Sequence, residues 1–110
     1  RERKIKKVNS EYSDLDKCVN NLGTFYFKIG TYIKHNPYGP AIILKTGHKA
    51  YYIDDNFHRI DGPARIFADG REEYWVDGEI FYGDLEKHSK YKKYLMEHLK
   101  ANKEHLISII

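Results

Sequence analysis

His58-Arg59-Ile60-Asp61-Gly62-Pro63-Ala64-Arg65-Ile66-Phe67, followed by Asp69-Gly70 and then Glu72-Glu73-Tyr74-Trp75-Val76-Asp77-Gly78, decides the fold. Residues 64–67 read as a short strand. Asp69-Gly70 is a tight-turn signal, because glycine accepts the positive φ that hairpin turns need. Residues 72–76 form the return strand, ending in aromatic and β-branched side chains that suit a pleated, half-buried surface. Asp77-Gly78 turns the chain again, and Glu79-Ile80-Phe81-Tyr82 follows as another strand. The Gly62-Pro63 pair marks a bend that is not a hairpin, since proline has no N–H for a central ladder and sits at a strand start or an edge.

The same pattern stands 23 residues earlier. His35-Asn36-Pro37-Tyr38-Gly39-Pro40-Ala41 aligns with residues 58–64, Ile43 with Ile66, and Thr46-Gly47 with Asp69-Gly70. Tyr51-Tyr52-Ile53 aligns with Tyr74-Trp75-Val76, and Asp54-Asp55 with Asp77-Gly78. Matches at this many punctuating positions without a gap define an internal repeat. Further upstream, Phe25-Tyr26-Phe27-Lys28 and Tyr32-Ile33-Lys34 read as a degenerate hairpin around Gly30, as terminal repeats often depart from their array. The expectation for residues 24–83 is an antiparallel meander of about six short strands.

A lone sheet needs cover on one face, and both flanks offer helical patterns. Over residues 11–23, Leu15, Cys18, Val19 and Leu22 fall on one helical face, with Ser13 placed as a cap and Gly23 as a stop. Over residues 84–110, Leu85, His88, Tyr91, Leu95, Leu99 and Leu106 share a stripe, with most lysines elsewhere. The predicted architecture is therefore mainly β with flanking helices. A basic tail over 1–10 precedes a single domain over 11–110, made of a short N-terminal helix, the hairpins and a longer C-terminal helix.

Composition narrows the classes of function. Ten tyrosines, five phenylalanines and one tryptophan in 110 residues argue against a disordered chain. The single cysteine, Cys18, excludes an internal disulfide and a cysteine-built zinc site. No apolar run spans a bilayer, so no membrane contact is expected, and cysteine usage points to the cytoplasm. Net charge is +4 over residues 1–10, −2 over 11–23, −1 over 24–83 and +2 over 84–110. Basic ends around a balanced middle fit either solvated flanks or a nucleic-acid contact.

Residues 58–78 resemble the MORN-variant repeat in its viral and bacterial form, whose unit reads His-Arg-x-Asp-Gly-Pro-Ala, a strand, Asp-Gly, then Tyr-Trp-x-x-Gly. Residues 35–55 fit less closely, with Pro37-Tyr38 in place of Ile60-Asp61 and Asp55 in place of the closing glycine. The resemblance covers roughly residues 30–95. It implies stacked hairpins that serve as a scaffold for binding proteins, in phages, large viruses or bacteria, some of whose members are described as antitoxins. It brings no catalytic residues.

His35 and His58 are equivalent by the repeat. A ring hydrogen bond to backbone near Gly39 or Gly62 explains both better than a metal, for which ligands are too few. His35, Gly39, Pro40, His58, Gly62, Pro63, Gly70, Trp75 and Gly78 are thus expected to be structural. Asp54-Asp55 is a turn and not a carboxylate site, because its counterpart is Asp77-Gly78. Neither phosphate loop nor nucleophile motif is present, so no enzyme activity and no cofactor are expected. Alternation along the return strands places Trp75 and Tyr52 in the core and Tyr51 and Tyr74 in an outer row flanked by Arg65 and Phe67. That row is the expected surface for a protein partner. The leading expectation is a protein-binding module of inhibitor or antitoxin-like type. The rivals are a nucleic-acid-binding accessory protein and a structural subunit of a larger viral particle.

Overall fold

The computed structural model describes residues 14–83, 89–93 and 95–97. The basic tail, the predicted cap at Ser13 and much of the predicted C-terminal helix lie outside the described residues. The chain runs through β1 (Leu15–Val19), β2 (Gly23–Lys28), β3 (Ile42–Leu44), β4 (Lys49–Ala50), β5 (Tyr52–Ile53), β6 (Asn56–Phe57), β7 (Arg65–Ile66), β8 (Glu72–Val76) and β9 (Glu79–Phe81). Seven strands pair in the order β1-β2-β3-β4-β7-β8-β9, and β5 pairs with β6 alongside. Every pairing is antiparallel. Residues 89–93 and 95–97 are helical, and Lys90 Nζ reaches Glu79 Oε1 at 2.7 Å. The fold is mainly antiparallel β.

The N-terminal helix expected over 11–23 does not form. Leu15–Val19 is the edge strand β1, paired along its whole length with β2. The helical stripe fails as a buried face, because Val19 is 45% and Leu22 63% exposed. The Thr24–Lys28 stretch, rich in aromatics, makes β2 a strong strand, and its outer edge needs a partner that the neighbouring segment supplies. Asn20 shapes the connection: its Oδ1 accepts from Leu22 N–H at 2.8 Å and from Gly23 N–H at 3.3 Å.

Hydrogen bonds recur 23 residues apart. Ala41 N–H donates to Ala50 O at 2.9 Å, and Ala64 N–H to Glu73 O at 2.9 Å. Ala41 O accepts from Tyr26 N–H, and Ala64 O from Tyr51 N–H, both at 2.7 Å. Each alanine thus bonds to chain on both sides. Both are fully buried, where a larger side chain would have no room. Asn36 N–H donates to Tyr52 O at 3.0 Å, and Arg59 N–H to Trp75 O at 3.1 Å.

The turns come in two kinds. Asp54 (φ 50) and Asp55 (φ 70), and likewise Asp77 (φ 51) and Gly78 (φ 78), are two-residue turns with both central residues left-handed, the conformation that matches strand twist. The turn at Gly70 is longer than the two residues read from sequence. Phe67 N–H donates to Arg71 O, and Gly70 N–H returns to Phe67 O, so residues 68–70 form a three-residue loop with Gly70 at φ 91. Residues 49–53, which the repeat sets against the 72–76 return strand, are also divided, into β4 and β5. Tyr51 donates to Ala64 in one direction and accepts from His58 N–H in the other, so the chain passes from one sheet to the next at this residue. Eight short strands, β2 to β9, therefore occupy the stretch where about six were expected.

Candidate functional site

Along β8, Glu73 and Trp75 share one face while Tyr74 and Val76 take the other. Arg65 lies directly across from Glu73. Its Nη1 meets Glu73 Oε1 at 3.2 Å, and the same oxygen accepts from Trp75 Nε1 at 3.0 Å. The Glu73 carboxylate therefore ties the guanidinium to the indole. Phe57 packs between Tyr52 and Trp75, with ring centroids 4.5 and 4.9 Å away. This follows from the Asp54-Asp55 turn, which sets Tyr52 opposite Phe57.

Cations lie against these rings. Lys34 Nζ is 5.0 Å from the Tyr52 ring, and the Arg65 guanidinium is 5.0 Å from Phe57 and 4.5 Å from Phe67. Arg71 lies 4.5 Å from Phe67, which also meets His48 edge-on at 5.2 Å. Arg65 Nε is buried and meets no acceptor among the described residues; the ring faces hold the guanidinium there. Each of these cations also has an acid: Lys34 with Asp55 at 3.4 Å, Arg65 with Glu73, and Arg71 with Asp69 at 2.8 Å. The row is thus half-buried, rich in rings and close to neutral. Burial, more than the nearby charges, pushes the Tyr52 hydroxyl above the usual phenol range.

The four residues expected to form an outer row are divided. Arg65 and Phe67 belong to the row just described, together with Trp75. Tyr74 is half-buried on the opposite face from Glu73, and the Tyr51 ring lies 4.0 Å under the Arg59 guanidinium. The reason is register: Arg65 pairs with Glu73, so it shares a face with Trp75 and not with Tyr74. Trp75 and Tyr52 are half-buried, not enclosed, and the fully enclosed large side chain of β8 is Val76. Lys34, Phe57, Arg71 and Glu73 were not singled out from sequence. Phe57 was readable from the two-residue turn that sets it against Tyr52.

The structural residues separate by role. His35 Nδ1 accepts from Asp54 N–H at 3.0 Å and His58 Nδ1 from Asp77 N–H at 2.9 Å. Nδ1 of each ring is thus taken by a turn amide, and not by backbone near Gly39 or Gly62. Gly62 lies beneath the Arg59 guanidinium, which a Cβ there would displace, since it would stand 2.8 Å from Arg59 Cζ. Arg59 folds back over it to donate to Pro63 O. Between the two Gly-Pro bends lies an open cleft of about 410 Å³ lined by Pro37, Tyr38, Tyr51, His58, Arg59 and Asp61, among others.

Among the described residues no group of three or more His, Cys, Asp or Glu side chains is placed to hold a metal ion, and no helix is long and apolar enough to cross a membrane. No protein-family model, curated protein or solved structure matches the chain.

Proposed function

We propose that this chain is a non-catalytic protein-binding module, a hairpin-repeat array of MORN-variant type whose partner docks on the face bearing Tyr52, Phe57, Arg65, Phe67 and Trp75. The observation that carries the reading is the half-buried row of rings and guanidinium groups. Trp, Tyr and Arg are the side chains that most often dominate protein interfaces. The row's charges are matched in place, which suits a protein surface better than a polyanion. An inhibitor or antitoxin-like role is one form of this reading; a structural subunit of a larger particle is a rival to it.

The test is capture of a partner from the native host by the immobilised chain, at low and at high salt, with the Trp75→Ala and Arg71→Ala variants beside it. The reading expects one protein to be retained at high salt and lost from the Trp75→Ala variant while its circular dichroism stays native. Capture that the variants leave unchanged would refute it. So would binding of nucleic acid that falls steeply with salt.

A further inference from the structure

His35 and His58 join consecutive hairpins. The Asp54-Asp55 turn sits on residues 34 and 35: Asp55 N–H donates to Lys34 O at 2.8 Å, and Asp54 N–H donates to His35 Nδ1. The Asp77-Gly78 turn sits on residues 57 and 58 in the same way: Gly78 N–H donates to Phe57 O at 2.9 Å, and Asp77 N–H to His58 Nδ1. A backbone amide can only donate, so Nδ1 of each ring is bare and the proton sits on Nε2. Protonating Nδ1 would set one donor against another.

We infer that His35 and His58 are a pair of acid-opened clasps: one proton taken up by each ring releases its turn amide and loosens one hairpin from the hairpin before it. The inference stands on the two clasps alone and is independent of any partner surface.

The surrounding charges do not rescue the protonated rings. Asp54 Oδ1 lies 3.7 Å from His35 Nδ1, but Lys28 already holds that carboxylate. Lys28 also opposes a charge on His35, while Asp14 favours one. Asp77 faces His58, and Lys90 Nζ lies 3.9 Å from its carboxylate. Burial is the largest influence on both rings, and it holds both imidazoles below their ordinary range in spite of the carboxylates. Asp54 and Asp77 are held with left-handed backbones, which a residue other than glycine occupies at some cost. A turn freed from its clasp therefore has a reason to relax.

The experiment is NMR on the ¹⁵N-labelled full chain between about pH 7.5 and about pH 5, a window that brackets an ordinary imidazole. Imidazole ¹⁵N shifts follow the protonation of each ring, and hydrogen exchange follows the amides. The expected result is that protection of the Asp54 and Asp77 amides falls by about tenfold or more as the rings titrate. In the His35→Asn, His58→Asn double variant the carboxamide oxygen replaces Nδ1 as acceptor and does not titrate, so protection there should stay level. Protection that persists in the wild type while both rings protonate overturns the inference, and so does an equal loss in the double variant. Should the double variant not fold, the wild-type comparison of ring and amide decides alone.

Discussion

Asn36 and Arg59 stand 23 residues apart and do the same work with different chemistry. Asn36 Nδ2 donates to Pro40 O at 3.0 Å, and Arg59 Nη1 donates to Pro63 O at 3.1 Å. Each holds the bend that carries the Gly-Pro pair. Asn36 is nearly enclosed, at 4% exposure, and its Oδ1 also accepts from Tyr38 N–H at 2.9 Å. Arg59 adds a stack on Tyr51 and a bond to Asp61.

Asn36→Ala should therefore cost more than Arg59→Ala. The first removes two bonds from a buried position and is expected to destabilise by about 1–3 kcal/mol. The second removes one backbone bond and an aromatic stack from a partly exposed residue, and should cost about 1 kcal/mol. Urea denaturation of both variants measures the order, and a larger loss in Arg59→Ala would show that the bends are held differently.

Glycine substitutions should separate by surroundings. A Cβ at Gly23 would meet Ile43 O at 2.1 Å and Leu44 Cα at 2.8 Å. Both are backbone atoms of β3, so the pairing of β2 with β3 must open, and Gly23→Ala should cost about 2 kcal/mol or more. At Gly70 and Gly30 the space is open and only the positive φ resists. Alanine there should cost about 1 kcal/mol. Denaturation midpoints with an unchanged m-value would check both magnitudes.

The two neighbours in β8 should differ in kind. Trp75→Ala is expected to weaken partner binding by about 2 kcal/mol, as a central interface aromatic does. Tyr74→Ala points to the other face and should leave affinity nearly unchanged while lowering the melting temperature. Titration calorimetry and thermal melts on the same preparations separate the effects. Equal losses of affinity would return Tyr74 to the partner surface.

Stability should fall on mild acidification. Burial lowers the folded-state pKa of both His35 and His58. Their contribution is thus fully present above the unfolded value of about 6.5 and is lost as pH falls through the lower folded values. The melting temperature should drop over that window, and His58→Asn alone should reduce the slope. A melting temperature that is flat from about pH 7 to about pH 5 would show that neither ring changes its proton count on unfolding.

Local chemistry determined much of this protein from sequence alone. The two-residue Asp77-Gly78 turn, its Asp54-Asp55 counterpart and the strand over residues 72–76 were legible, because turn backbones and strand alternation depend on residues a few positions apart. The equivalence of His35 and His58 was legible too, although their bond to the turn amides was not. Tertiary structure alone decided the rest. Leu15–Val19 became a strand because β2 offered an unpaired edge, which no helical spacing within 11–23 can report. Arg65 joined Trp75 because β7 and β8 pair in the register that sets Arg65 against Glu73. Alternation states which residues share a face of one strand; which residues of the next strand meet them is set by long-range pairing.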